Sequence, residues 1–235
     1  LRNEISSLFT RMLDFLLANN WFVVMPDGSI STTFITNPDQ RLSFLIVGRR
    51  VNSSRFGPIY ESERLANIAT VGTAIYYDLL NDHTSYFKFN LDTINIYNLI
   101  RLEGNFIFRS SYMQVYNVLR RTTDDHGNAH FNMIDRALKG ADSRRDTETR
   151  DLLQQWLQRP RRDPFRDLRG DPRYPSCGDD RSCNAIAVVD RVNTDFLWQR
   201  SPFQLFGGGA GAIETAGIDY ILPYWMARYY GVVQD

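Results

Sequence analysis

Apolar residues recur at helical spacing along most of the chain. Between residues 2 and 19, Ile5, Leu8, Phe9, Met12, Leu13, Leu16 and Leu17 fall on one face, which predicts an amphipathic helix closed by Asn19-Asn20. Residues 21–25 read as a short extended run, Pro26-Asp27-Gly28-Ser29 as a turn, and residues 31–36 as a returning strand. A small β-hairpin is therefore expected near residues 21–35. Asn37-Pro38 opens a second helix, with Asn as its cap and Pro at the first helical position; it carries Leu42, Leu45 and Ile46 and ends near Arg50. A loop with Asn52, Gly57 and Pro58 leads to a long helix over 59–80, with Leu65, Ile68, Ala69, Ile75, Tyr76 and Leu79 facing inward. After a polar break at 81–86, helical patterns cover 87–103, 107–121, 128–139 and 146–158, and an aromatic helix covers 218–230. The pattern predicts a mostly α fold of antiparallel helical hairpins, about eight helices in one domain over 1–235.

The helical period is lost between residues 159 and 195, where Pro, Asp, Arg and Gly dominate and a long irregular loop is expected. The Gly-rich stretch 207–211 lacks the Gly-Lys-Ser/Thr ending of a phosphate loop. It reads as a flexible or closely packed loop, with a lid as the sharper option. No run of about 18 apolar residues is present, so no membrane-spanning helix is expected.

Composition narrows the classes. An apolar share of 43% over 235 residues supports a substantial core, and 13% aromatics exclude a disordered chain. Acidic and basic residues balance at 27 each, which gives no global field toward nucleic acid. Only two of the basic residues, Lys88 and Lys139, are lysine. The run from Arg144 to Arg173 holds nine arginines against seven acids from Asp142 to Asp171, which reads as a solvated, ion-paired surface. The two cysteines, Cys177 and Cys183, flank Gly-Asp-Asp-Arg-Ser and are expected to form a local disulfide, which implies an extracellular or periplasmic setting. The chain opens at Leu1 inside a helix, with no signal peptide, and reads as a mature or truncated product.

Three stretches carry a resemblance. They are the opening helix with Asn20-Trp21 and the Pro26-Asp27-Gly28 turn; Tyr97-Asn98-Leu99-Ile100-Arg101-Leu102-Glu103 followed by a helix with Tyr112 and by Asn128-Ala129-His130-Phe131-Asn132; and Trp198-Gln199-Arg200-Ser201-Pro202. Together they resemble the six-hairpin (α/α) toroid superfamily of bacterial glycoside hydrolases and polysaccharide lyases, over about two thirds of the chain. About eight helices fall short of the twelve in a full toroid, so a partial or incomplete toroid is implied. The resemblance implies a polysaccharide or oligosaccharide partner.

Candidate chemistry follows from a few polar and aromatic clusters. His83 and Tyr86 would pair as base and acid for proton abstraction from a uronic acid, or would cap a helix end. Asp124, Asp125 and His126 would serve acid–base chemistry, or would form a turn before the helix at 128. A hydrolase needs two carboxylates across a cleft, and Asp124, Asp125, Asp195, Glu214 and Asp219 are the pool. Trp198, Gln199 and Arg200 suit a sugar site, the indole stacking on a pyranose and the polar groups meeting hydroxyls or a carboxylate. Trp225 and Arg228, with Tyr224, Tyr229 and Tyr230, form a second such group, or else fill a core. No cofactor and no metal-ligand set is read from the sequence. The reading is an extracytoplasmic carbohydrate-active domain, as hydrolase, lyase or binder. The alternative is a non-catalytic cell-surface structural or interaction protein, assembling through residues 218–235.

Overall fold

The computed structural model describes residues 1–81, 86–122, 127–158, 162–178, 180–191, 201–214 and 217–234. The chain forms two compact units. One comprises residues 1–81 and 91–122; the other comprises the described residues of 82–90 and 123–234. Among the described residues there are eight α-helices and two small antiparallel sheets.

In the first unit, α1 (Arg2–Ala18) packs on α2 (Pro38–Val51) through Leu13 and Leu16, its buried residues. The approach is close at Gly48, where a Cβ would come within 2.4 Å of the Leu13 side chain, so any side chain here would have to displace that leucine. Of the rest of the predicted apolar face of α1, Phe9 and Leu17 are half-buried, whereas Ile5, Leu8 and Met12 are exposed. Between α1 and β1 the chain turns through Asn20 and Trp21, both at positive φ, and Trp21 is buried. The expected hairpin is present as β1 (Phe22–Val24) and β2 (Ile30–Thr33), paired from Phe22↔Thr33 to Val24↔Ile30. Its turn is fixed by Asp27, whose carboxylate accepts from the Ser29 amide at 2.9 Å and hydroxyl at 2.6 Å.

The long helix α3 (Ser53–Asn81) starts six residues earlier than the loop around Gly57 and Pro58 predicted. Asn52 explains the difference. Its Oδ1 accepts from the Arg55 amide at 3.3 Å, capping the first turn, and its carbonyl accepts from the Phe56 amide at 3.0 Å. Pro58 sits in the second turn, where its missing N–H forfeits one hydrogen bond to the helix start. The inward face of α3 matches the expected one at Ile75 and departs from it at Leu65 and Ala69, and the side chains of Tyr76 and Leu79 lie outside the described residues. Phe56, Tyr60, Arg64, Val71 and Ile75 are buried, whereas Leu65 is 66% exposed. α4 (Tyr86–Leu102) is tied to α2 by Asn95 donating to Asp39 at 2.6 Å and Asn98 donating to Ser43 at 3.0 Å. α5 (Phe106–Thr122) is capped by Asn105, which accepts from the Ile107 amide at 2.9 Å, and packs on α3.

In the second unit, α6 (Ala129–Lys139) is capped by Asn128, α7 (Ser143–Trp156) by Asp142, and both pack on α8 (Ile218–Tyr229). Met133, Leu153, Ala227 and Val232 form their shared core. The segment expected to be an irregular loop contains β3 (Arg162–Asp167), and the Gly-rich stretch is its partner β4 (Phe206–Glu214) rather than a loop or lid. Period 2 is invisible here because β4 starts with glycines that serve contact rather than burial. At Gly208 φ is +103°, and a Cβ would lie 2.5 Å from the Pro164 carbonyl oxygen. Pro164 faces both Gly209 and Ala210, so the ladder bulges at the residue that lacks an N–H.

The predicted disulfide joins Cys177 and Cys183, whose Cα atoms are 4.9 Å apart. Backbone bonds from Cys177 to the Arg181 carbonyl and from Cys183 to the Pro175 carbonyl, both 2.8 Å, close the same small hairpin. No helix among the described residues is long and apolar enough to cross a membrane.

Candidate functional site

Two cavities organise the polar and aromatic groups, one in each unit. In the first unit, a cavity of about 580 Å³ is lined by Arg49 and Arg50 of α2, Glu61 and Arg64 of α3, and Glu103 and Asn105 beyond α4. Glu103 is its anchor, only 3% exposed. It accepts from the Tyr60 hydroxyl at 2.6 Å, the Arg64 guanidinium at 2.9 Å and the Asn105 amide at 2.8 Å. Burial alone would push its carboxyl up, but the hydrogen bonds from Tyr60, Asn105 and Arg64 more than offset this and hold it below the usual carboxylate value. Burial and the neighbouring carboxylate push the Tyr60 hydroxyl strongly up, so it stays a donor. Arg64 is opposed by burial, yet its bonds to Glu103 and Glu61 keep it firmly charged. Its guanidinium lies 3.9 Å from the centre of the Phe108 ring. Arg49 completes the cluster, donating to Glu61 at 2.9 Å and to the Leu102 carbonyl at 3.0 Å. An ionised carboxylate held by this many donors is not a general acid; the cluster acts as a polar lock that joins α2, α3 and the end of α4.

In the second unit, an open cleft of about 480 Å³ runs beside α7 and α8. Leu153, Leu157, Tyr220, Tyr224 and Val232 form apolar walls, and Arg150, Gln154 and Gln234 supply polar groups. Arg150 donates to the Val232 carbonyl at 3.2 Å, which fixes the chain end along the cleft. Tyr220 and Tyr224, one turn apart on α8, stack with ring centres 5.6 Å apart and planes at 11°. Trp225 meets Tyr224 edge to face at 5.4 Å and is 60% exposed. The three rings make a continuous aromatic ledge from the cleft to the outer face of α8. Arg228 donates to the Tyr224 hydroxyl at 3.3 Å, and its guanidinium lies 5.6 Å from the Trp225 ring centre.

Between α6 and α7, Asn132 is fully buried. Its amide donates to Glu148 at 2.8 Å and its carbonyl accepts from Arg145 at 3.1 Å. Glu148 also accepts from the Gly127 amide at 2.8 Å, and Arg145 pairs with the buried Asp135 at 3.2 Å. His130, in the first turn of α6, is buried, and burial lowers its pKa to about 4.

Of the residues singled out in the sequence, His83, Asp124, Asp125, His126, Asp195, Trp198, Gln199 and Arg200 lie outside the described residues, as do the side chains of Tyr86 and Glu214. Asp219 is buried at the start of α8. Trp225 and Arg228 are brought together with Tyr224; Tyr224 and Tyr230 pack on the core of the unit, whereas Trp225 and Tyr229 are exposed. The Glu103 cluster was not singled out as a site. Its traces in the sequence are the Glu61/Arg64 pair one turn apart and an acid closing the apolar run of α4. Scans against family models and searches of curated proteins and of solved structures find no match to this chain.

Proposed function

We propose that the chain is an extracytoplasmic carbohydrate-binding domain that receives a polysaccharide or oligosaccharide on the aromatic ledge of α8. The observation that carries this reading is the exposed Trp225 ring, backed by Tyr224 and Tyr220 and flanked by Arg228. A flat indole face offered to solvent suits the apolar face of a pyranose, and guanidinium and amide groups at its edge suit hydroxyls or a carboxylate. Gln154 and Gln234 extend the same chemistry along the cleft. The disulfide supports an extracellular or periplasmic setting, since such bridges persist in oxidising compartments. The packing of α1 on α2, α2 on α3 and α6 on α7 supports helical hairpins of the kind a partial (α/α) toroid is built from.

Titration calorimetry against neutral and uronic-acid polysaccharides tests the reading, with an assay for new unsaturated or reducing ends separating a binder from a lyase or hydrolase. Trp225→Ala is expected to weaken binding about fivefold, the loss of one aromatic contact worth roughly 1 kcal/mol. Unchanged affinity in that variant, or no binding to any polysaccharide, refutes it. A partner protein docking on the same face is the second reading, favoured by the exposed Ile221 and Leu157 beside the rings.

A further inference from the structure

We infer that the polar cavity of the first unit is a binding site for an oxyanion, in which Arg50, Ser53 and Asn105 take the phosphate, sulfate or carboxylate group of a small ligand. The cavity lies wholly within that unit, where α2 ends beside the start of α3 and α4 ends beside the start of α5. Two helix ends and two helix starts meet here, so their dipoles largely cancel and the side chains set the potential. The guanidinium groups of Arg49, Arg50 and Arg64 line it against the carboxylates of Glu61 and Glu103, three positive charges against two negative. The excess of one positive charge belongs to Arg50, because the other four groups are already paired.

Hydrogen bonding separates the groups that are spent from those that are not. Both oxygens of Glu61 accept from Arg49 and Arg64, and both oxygens of Glu103 accept from Tyr60, Arg64 and the Asn105 amide. The Leu102 carbonyl accepts from Arg49. The side-chain groups left over are donors. Among the described residues, the Arg50 guanidinium, the Ser53 hydroxyl and the Asn105 side-chain N–H groups take part in no hydrogen bond or ion pair, and all three residues are exposed. Asn105 is held in place by its oxygen, which accepts from the Ile107 and Phe108 amides. Arg49 and Arg64 are fixed on the Tyr60 and Phe108 rings, so among the arginines only Arg50 has to be ordered when a ligand arrives. Its planar fork of N–H groups matches two oxygens of one anion. A cation would meet the excess positive charge, and an apolar guest would cover these donors without satisfying them. The volume of about 580 Å³ exceeds that of a bare oxyanion, which leaves room for the organic part of a ligand.

Titration of the whole chain with inorganic phosphate, sulfate and acetate, followed by NMR with chloride holding the ionic strength constant, tests the inference. The expected result is saturable shifts of the Arg50 and Asn105 side-chain N–H signals and of the amides around Ser53. The tightest of the three anions is expected to show a Kd on the order of 1 mM and identifies the group that the site takes. Arg50→Gln is expected to weaken binding about tenfold, the loss of charge-assisted hydrogen bonds, with little change in the melting curve because Arg50 holds no other residue. Arg50→Lys, which keeps the charge and loses the fork, should fall between the two. Arg11→Gln removes an exposed arginine outside the lining and should leave binding as it was. Shifts that never saturate, or that spread equally over exposed arginines such as Arg11, overturn the inference. Saturable binding that survives Arg50→Gln overturns it as well.

Discussion

At the scale of single residues, the first unit stakes stability on a buried ion cluster. Glu103 is enclosed with Tyr60 and Arg64, and removing its charge would leave the arginine without its buried partner, with only the more exposed Glu61 beside it. Breaking one side of such a pair costs about 3–5 kcal/mol. Glu103→Gln is accordingly expected to lower unfolding free energy by about 3 kcal/mol in urea titrations, whereas Leu65→Ala, on the solvent side of the same helix, should change it little. His130 gives a pH dependence of known sign. Its pKa falls from about 6.5 to about 4 on folding, so the unfolded chain binds the extra proton. Stability from this group is complete above pH 6.5 and is lost as the pH falls toward 4. Urea midpoints measured between pH 7.5 and 4 should show the loss, and His130→Gln should flatten it. The phase of α3 marks the limit of reading by hydrophobicity. Leu65 and Arg64 are neighbours, and a pattern that counts apolar residues puts the leucine inside. The arginine is inside because a carboxylate 39 residues away waits for it, and no local window contains that information.

At the scale of elements, what was legible follows from short-range chemistry. The first hairpin was foreseen because Pro26-Asp27-Gly28-Ser29 encodes its own turn, and α6 because Asn128 and Gly140 mark both ends. β3 and β4 were not foreseen. Their pairing depends on glycines that admit the Pro164 backbone, a contact between segments some forty residues apart. The ledge on α8 was visible as a run of aromatics, but whether they faced water or core was not. Cys177 and Cys183 are both exposed, and the hairpin they close is also held by backbone hydrogen bonds. A bridge across so short a loop contributes about 2 kcal/mol through the unfolded state. Replacing both cysteines by serine is expected to cost that amount in denaturant titrations, while amide exchange in α6 and α7 stays as protected as before relative to global unfolding.

At the scale of the whole molecule, equal numbers of acids and bases place the isoelectric point near 7.0. With no net charge to keep copies apart, solubility should pass through a minimum near pH 7 and recover on either side, which precipitation by polyethylene glycol across pH 5–9 would reveal. The division into units was not legible, because local patterns show where helices begin and end but not which of them share a core. Neither unit is a continuous stretch of chain. The first turn of α4 belongs with residues beyond 123, while the rest of that helix belongs with what precedes it. This has a consequence for biosynthesis. When residue 122 has left the ribosome, every residue of the first unit is available, yet the start of α4 is still without its partners. At about 5–20 residues per second, the remaining stretch takes on the order of ten seconds to appear. Through that interval α4 is a helix whose larger part can already settle in its unit while its first turn waits for the rest of the other.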